Sequence, residues 1–360
     1  MAQIAELYPL GTNFYIMEVG TSYQWTVEAF GGDYFDLSSE TVVSPFPDYS
    51  LANKEKDLPL VADIVAPTIE ALYPLIGANG DSIRPHIEFV AEEIMQELYR
   101  HDDPNGNKSP TMADYLEITE SGLSHYSGVH KDAVKVIKDN LTSFLGKTAG
   151  RNFANADSIN FDNGIVGLNF KQLMQNEQLA KFLLVFISLR FKQIAFANSI
   201  PARIIIDELH EFVRIDPELM AILIKQLTRM GRKEQGSFHG ISQELGDIEI
   251  VQGILSQINT RTFLFAEDGH DEVARAYKMN DTVLNTWRSY QNPEPIGKPL
   301  QYRQGIRQFG DHAFDLHLKF PKSLLMLANS NATVLDLKAE IGKVTTDPFE
   351  RLKLLEEAMA

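Results

Sequence analysis

Three consecutive isoleucines, Ile204, Ile205 and Ile206, run straight into two acids, Asp207 and Glu208. A β-branched run without apolar/polar alternation suits a strand covered on both faces. Such a strand belongs in a parallel sheet with helices on either side, and the neighbouring pattern agrees. An apolar strand over 164–170 precedes a long helix over 177–198. After the isoleucine strand, 203–206, comes a helix over 217–230, with Asp216 as N-cap, Pro217 at the first helical position and Leu219, Ile222, Leu223, Leu227 and Met230 on one face. A strand over 238–242, a helix over 247–257 and a strand over 262–266 continue the alternation. This order implies an α/β fold: a parallel sheet, mixed at its edge, flanked by helices. Further strands are expected at 313–320 and 324–327, and an amphipathic helix over 347–358.

The first part of the chain adds to the same sheet. Residues 13–19 read as a buried strand, Gly20 as a turn into a short helix over 23–30, and Gly31-Gly32 as a break before a strand over 34–37. A loop with Pro45 and Pro47 follows. Between 60 and 146 the period changes to that of helices, over 60–76, 84–100, 110–118 and 129–145. Ser109 reads as an N-cap with Pro110 at the first helical position. The expected organisation is 1–58 as the first part of the α/β domain, 59–150 as an all-helical insertion and 151–360 as the remainder.

Composition narrows the function classes. The 360 residues are 44% hydrophobic, enough for a sizeable core. They contain no cysteine, which excludes disulfides and cysteine-based metal or nucleophile chemistry. The best apolar run, Phe182 to Ile187, is far shorter than a membrane span, and no secretory signal is visible. A soluble, cytoplasmic protein is expected. A net charge of −16 disfavours nonspecific attraction to nucleic acid over the whole surface but leaves room for a local basic groove.

In open α/β sheets, ligands bind at the carboxyl ends of the strands, where Asp207 and Glu208 stand. In phosphoryl-transfer motors the first of two such acids holds magnesium through water and the second polarises the attacking water. The alternative is a strand end where both acids are merely solvated. Downstream, Arg229 and Arg232 bracket a helix end, and Ser242-Gln243 ends the next strand. An arginine here can serve as a finger for a neighbouring subunit. It can equally be a cation satisfied by the helix dipole. Gln243 can orient water, or be an ordinary polar strand terminus.

Several local patterns carry no chemistry. Gly146-Lys147-Thr148 lacks the glycine of a phosphate-binding loop, because position 141 is Leu, and it follows a helix rather than a strand. His210-Glu211 is not a zinc-protease motif, because position 214 is Arg. Residues 102–108 are rich in Asp and Asn, but Gly106 is misplaced for a calcium loop. Trp25 and Trp287 carry no specific signal.

Taken together, the motifs resemble the large cytoplasmic ATPases of conjugative and type IV secretion systems, the TraC-like branch of the FtsK–HerA motors. That family's strand-turn-helix after the phosphate loop is similar to Glu18-Val19-Gly20-Thr21-Ser22-Tyr23, then Phe30-Gly31-Gly32-Asp33-Tyr34, Leu37-Ser38 and Ser44-Pro45-Phe46. Its acidic strand motif matches Asp207-Glu208-Leu209-His210. Its next motif matches Arg232-Lys233 and Gly236, ending at Ser242-Gln243. Residues 145–153 and the helical insertion stand in the expected order. Departures are Glu18 in place of Asp, and Leu209-His210 in place of Ala-Trp. The phosphate-binding loop, expected some tens of residues before Glu18, is also missing, so the chain looks as though it begins just after that loop.

The resemblance implies a RecA-like motor domain that hydrolyses ATP with Mg2+ to power secretion or conjugative transfer, including pilus assembly. It assigns Glu208, Gln243, Arg229 and Arg232 to catalysis, Asp207, Glu18 and Lys233 to nucleotide binding, and Asp207 to magnesium through water. It also implies self-association as a hexamer or dimer, contact with inner-membrane channel components and with a coupling ATPase, and peripheral association with the inner membrane. The competing expectations are an inactive scaffold of the same fold and a DNA-translocating motor; direct DNA contact stays open.

Overall fold

The computed structural model describes residues 2–38, 40–46, 48–49, 83–100, 109–147, 149–155, 159–161, 163–198, 200–217, 220–221, 223–224, 227, 236–243, 258–291, 303–310, 312–319, 321–329 and 332–359. Its centre is a mostly parallel five-stranded sheet flanked by helices. The strands are β1 (Asn13–Glu18), β2 (Asp33–Asp36), β3 (Ile165–Asn169), β4 (Ala202–Ile206) and β5 (Gly236–Gly240), in the order β2-β3-β1-β4-β5. β3 is buried along its whole length and β1 almost so, and Ile204, Ile205 and Ile206 of β4 are buried too. The isoleucine run thus sits near the middle of the sheet, as its lack of alternation requires.

The chain divides into two compact units. The first comprises Met1–Tyr34, Gly164–Gly167 and Arg203–Ala360. Within it, α1 (Ala2–Leu7) and α2 (Gln24–Ala29) supply Ile4 and Val27 to a core with Phe14, Ile16, Ile165 and Ile205. Gly32 is required by close approach: a Cβ there would lie 2.3 Å from the Ile165 side chain and 2.6 Å from its carbonyl oxygen. The indole of Trp25, on α2, packs against α10 (Lys322–Ala328), α11 (Ala332–Val344) and α12 (Pro348–Ala358) through Met326, Val334, Ile341 and Leu355. Those elements are named here by chain order, after α3 (Arg84–Leu98), α4 (Met112–Gly122), α5 (Gly128–Leu145), α6 (Glu177–Asn198), α7 (Leu209–Ile215), α8 (His270–Ala276) and α9 (Asp281–Arg288).

The second unit comprises Phe35–Asn163 and Leu168–Ala202. Helices α3, α4 and α5 pack on one another through buried faces that include Ile87, Val90, Ile94, Tyr115, Val134, Ile137 and Leu141. The Tyr115 hydroxyl donates to the Ala91 carbonyl at 3.2 Å. The expected helix over 60–76 lies outside the described residues, as does that over 247–257.

Three expectations are corrected. Residues 324–327 are helical, within α10: a short apolar run fits either period, and unbranched Leu and Met after Pro321 favour helix. The strand over 262–266 is not in the parallel sheet. It is β6 (Thr260–Leu264), which pairs antiparallel with β7 (Arg303–Phe309), which pairs antiparallel with β8 (His312–Leu318). Its alternating exposure, buried only at Phe263, is that of a strand covered on one face. Finally, the N-cap of α4 is Thr111, not Ser109. The Thr111 hydroxyl accepts from the Asp114 amide at 3.2 Å while the Asp114 carboxylate accepts from the Thr111 amide at 2.7 Å.

Candidate functional site

Register places the acids together. The Asp207 amide donates to the Met17 carbonyl at 2.8 Å, so β1 and β4 end side by side and Glu18 and Asp207 share one edge of the sheet. The Ile241 amide donates to the Ile206 carbonyl at 2.9 Å and the Leu209 amide to the Ile241 carbonyl at 2.8 Å. These two bonds carry the chain from β5 back past Glu208 and set Ser242 and Gln243 beside it.

Glu208 itself is strained. It adopts φ 51° and ψ 46°, the left-handed region that a residue with a Cβ seldom occupies. That backbone state turns the chain sharply from β4 into α7. The Glu208 carboxylate accepts a hydrogen bond from the Gln243 side-chain amide through Oε1. Its Oε2 lies 3.4 Å from Nδ1 of His210, which is also 3.4 Å from the Ser242 hydroxyl. Asp207 Oδ1 accepts from the Glu208 amide at 3.1 Å. Burial raises the Asp207 carboxyl above the usual range, and the negative charge of Glu208 adds to the rise.

Glu18 is buried, and its carboxylate is held by three donors. Oε1 accepts from the Tyr34 hydroxyl at 2.7 Å and the Tyr23 amide at 3.0 Å, and Oε2 from the Ser22 amide at 2.8 Å. Gly20, at φ 148°, permits the turn that brings these amides round. Burial outweighs the donors and pushes the carboxyl up to about 7, with Asp207 adding to the rise. The protonated form is also provided for. The Tyr34 hydroxyl lies 2.9 Å from the Gly20 carbonyl. It can therefore donate there and accept from a neutral Glu18.

The structure thus brings together Glu18, Asp207, Glu208 and Gln243 from the residues singled out in the sequence. Arg229, Arg232 and Lys233 lie outside the described residues. Sequence reasoning did not assign roles to Tyr34, His210 and Ser242. All three stand inside quoted motifs, and His210 was noted as a departure and in a rejected zinc-protease pattern. Gly146 caps the C-terminus of α5, so the Gly146-Lys147 pair follows a helix as expected.

No protein-family model and no curated protein matches the chain. Among solved structures it is similar to VirB4 of Thermoanaerobacter pseudethanolicus, with a TM-score of 0.59 and 15% identity, over 90% of this chain and 86% of that one. The chain has the VirB4 fold. That is a RecA-like α/β fold, and the acid pair lies at the carboxyl edge of its central sheet. Among the described residues, no helix is long and apolar enough to cross a membrane.

Whether this edge of the VirB4 fold suits magnesium and a nucleotide turns on the donor set. Carboxylate and amide oxygens from Asp207, Glu208 and Gln243 are the hard ligands that magnesium prefers. No group of three or more His, Cys, Asp or Glu residues among those described could hold a metal ion. Magnesium tolerates this, since it is usually bound by one or two carboxylates, waters and the phosphates themselves. The residues therefore fit a metal shared with a phosphate, not one caged by protein.

Proposed function

We propose that the chain is the motor domain of an ATPase that powers type IV secretion or conjugative transfer. The observation that carries this is the Glu208 carboxylate, held between Gln243 and His210, beside Asp207, at the carboxyl edge of a VirB4 fold. When bound, magnesium with ATP supplies a phosphoryl group whose charge is already partly neutralised. Asp207 would hold that magnesium through water. Glu208 accepts a proton from the attacking water, and Gln243 fixes the orientation of that carboxylate and of the water beside it. Glu18 braces the turn after β1 through Ser22, Tyr23 and Tyr34. Lys233 adds a cation for the phosphates, and Arg229 or Arg232 completes a neighbour's site in a hexamer or dimer. The 360 residues have no GxxxxGK[ST] pattern. The assembly docks on inner-membrane channel components and on a coupling ATPase, from the cytoplasmic side.

Glu208→Gln should leave magnesium-ATP binding near parental and lower turnover by about 10²-fold or more. Asp207→Asn should weaken the magnesium-dependent part of binding. Parental turnover by Glu208→Gln would reduce the acid pair to a strand end. The same missing pattern favours a second reading, an inactive scaffold of the same fold. Calorimetric titration with magnesium-ATP separates the two, because a scaffold gives no binding isotherm.

A further inference from the structure

The antiparallel sheet β6-β7-β8 has two unlike faces. One is covered: Phe263 and Ile306 pack with Trp287, Tyr277 and Tyr290, and Asp315 accepts from the Tyr290 hydroxyl at 2.7 Å. The other is open to solvent around Phe309 and Phe314 and half-buried at Arg303, Leu316 and Leu318. Register sets Thr260, Phe309 and His312 in one row, and Thr262, Arg307 and Phe314 in the next. Leu264, Gly305 and Leu316 form a third row, and Arg303 and Leu318 a fourth. Leu264, Phe309 and Phe314 are 52%, 56% and 58% exposed. Exposed apolar side chains grouped on a sheet face mark a surface that is covered by something in use.

Charge identifies the occupant. The protein carries a net −16, yet the strand residues of this face include two arginines, Arg303 and Arg307, and no carboxylate. Arg307 stands directly opposite Phe314, and Phe309 is the diagonal neighbour of Phe314. Two exposed rings flanking a guanidinium offer flat apolar surfaces and a cation within one side chain's reach. We infer that this face binds single-stranded nucleic acid, with unpaired bases stacked on Phe309 and Phe314 and phosphates against Arg307 and Arg303. An acidic protein would use the arginines but has no regular supply of planar groups for the rings. The general acidity of the chain does not defeat the contact, because charges beyond a Debye length of about 10 Å are screened at roughly 0.1 M salt. The site is separate from the acid pair and needs no nucleotide there.

The test is fluorescence anisotropy of a labelled oligothymidylate of about 20 nucleotides, titrated with the 360-residue chain at about 50 mM salt. Phe309→Ala and Phe314→Ala should each weaken binding about five- to a hundredfold. Phe314→Trp should retain it, and melting temperatures should stay parental because both rings are exposed. Arg307→Ala should lower the slope of log affinity against log salt by about 0.7. A base-paired duplex should bind more weakly. Absence of binding by the parent, indifference to both phenylalanine substitutions, or equal affinity for duplex would overturn the inference. So would a parental oligomer that Phe314→Ala splits in sedimentation, since the face would then be an interface between copies.

Discussion

Buried charge is handled in opposite ways in two parts of this molecule. In the second unit, Arg190 on α6 is all but buried and meets opposite charge. Its guanidinium donates to the Asp48 carboxylate, to the Phe46 carbonyl and, at 2.9 Å, to the Ser109 hydroxyl. It also lies 5.9 Å from the centre of the Phe161 ring. At the sheet edge of the first unit, Glu18, Asp207 and Glu208 gather like charge, and burial lifts two of the three carboxyls. A charge kept for structure is neutralised on the spot. Carboxylates crowded together at a strand end, one on a strained backbone, keep raised carboxyls instead, a pattern that clusters at functional sites.

The largest expected effect would come from breaking the neutral centre. Arg190→Met removes the cation and leaves Asp48 buried without its partner, at a cost of about 3–5 kcal/mol. Asp48→Ala, which strands the guanidinium, should cost a similar amount. The double variant Arg190→Met/Asp48→Ala should recover part of the loss, because no buried charge is left. Urea midpoints measure all three. If the single substitutions cost less than about 1 kcal/mol, the centre is solvated and the contrast with the acidic edge fails.

The acidic edge should respond to pH instead. Glu18 has its carboxyl raised to about 7, from an ordinary 4.5. Between those values the folded state holds a proton that the unfolded state has released. This contribution to stability is therefore full below about pH 4.5 and falls as pH rises to about 7, by up to about 3 kcal/mol. His239 runs the other way, since burial depresses it from 6.5 to about 4. Its Nε2 lies 2.9 Å from the Ser237 hydroxyl, which accepts from Arg203. Here the unfolded state takes the proton first, and stability is lost as pH falls from about 6.5 toward 4. Thermal melts from pH 4.5 to 8 on the parent, Glu18→Gln and His239→Asn separate the two slopes. In Glu18→Gln the loss of stability with rising pH should flatten. An unchanged profile would place an ordinary carboxylate at position 18.

Much of this architecture was legible because burial leaves a mark in residue type. The isoleucines of β4 and the apolar run of β3 fixed buried strands, and the helix over 177–198 agrees with α6. Glu18, Asp207, Glu208 and Gln243 stood out because strand ends are readable once strands are. Two strands of the antiparallel sheet were expected, over 313–320 and 262–266, but β7 was hidden because it carries Arg and Gln among its few apolar residues, and with it the pairing. Tyr34 and His210 were hidden for another reason. Their partners, Glu18 and Ser242, are 16 and 32 positions away, and no local spacing encodes such a pairing. Trp25 showed no signal because the helices that cover it arrive some 300 residues later.

The smallest expected effect tests where the neutral centre ends and helix α4 begins. Ser109 and Thr111 are two residues apart and both could cap the helix by residue type. In the structure their hydroxyls are divided: Ser109 accepts from Arg190, and Thr111 accepts from the Asp114 amide. Thr111→Ala should therefore cost about 1 kcal/mol and speed hydrogen exchange at the Asp114 amide, the donor that loses its acceptor. Ser109→Ala should leave exchange at Asp114 parental, because that amide never used Ser109. Its own cost, about 1 kcal/mol, should vanish in an Arg190→Met background, since the bond it removes is already gone there. If Ser109→Ala instead frays the first turn of α4 and Thr111→Ala does not, the cap is Ser109, and Arg190 is satisfied without it.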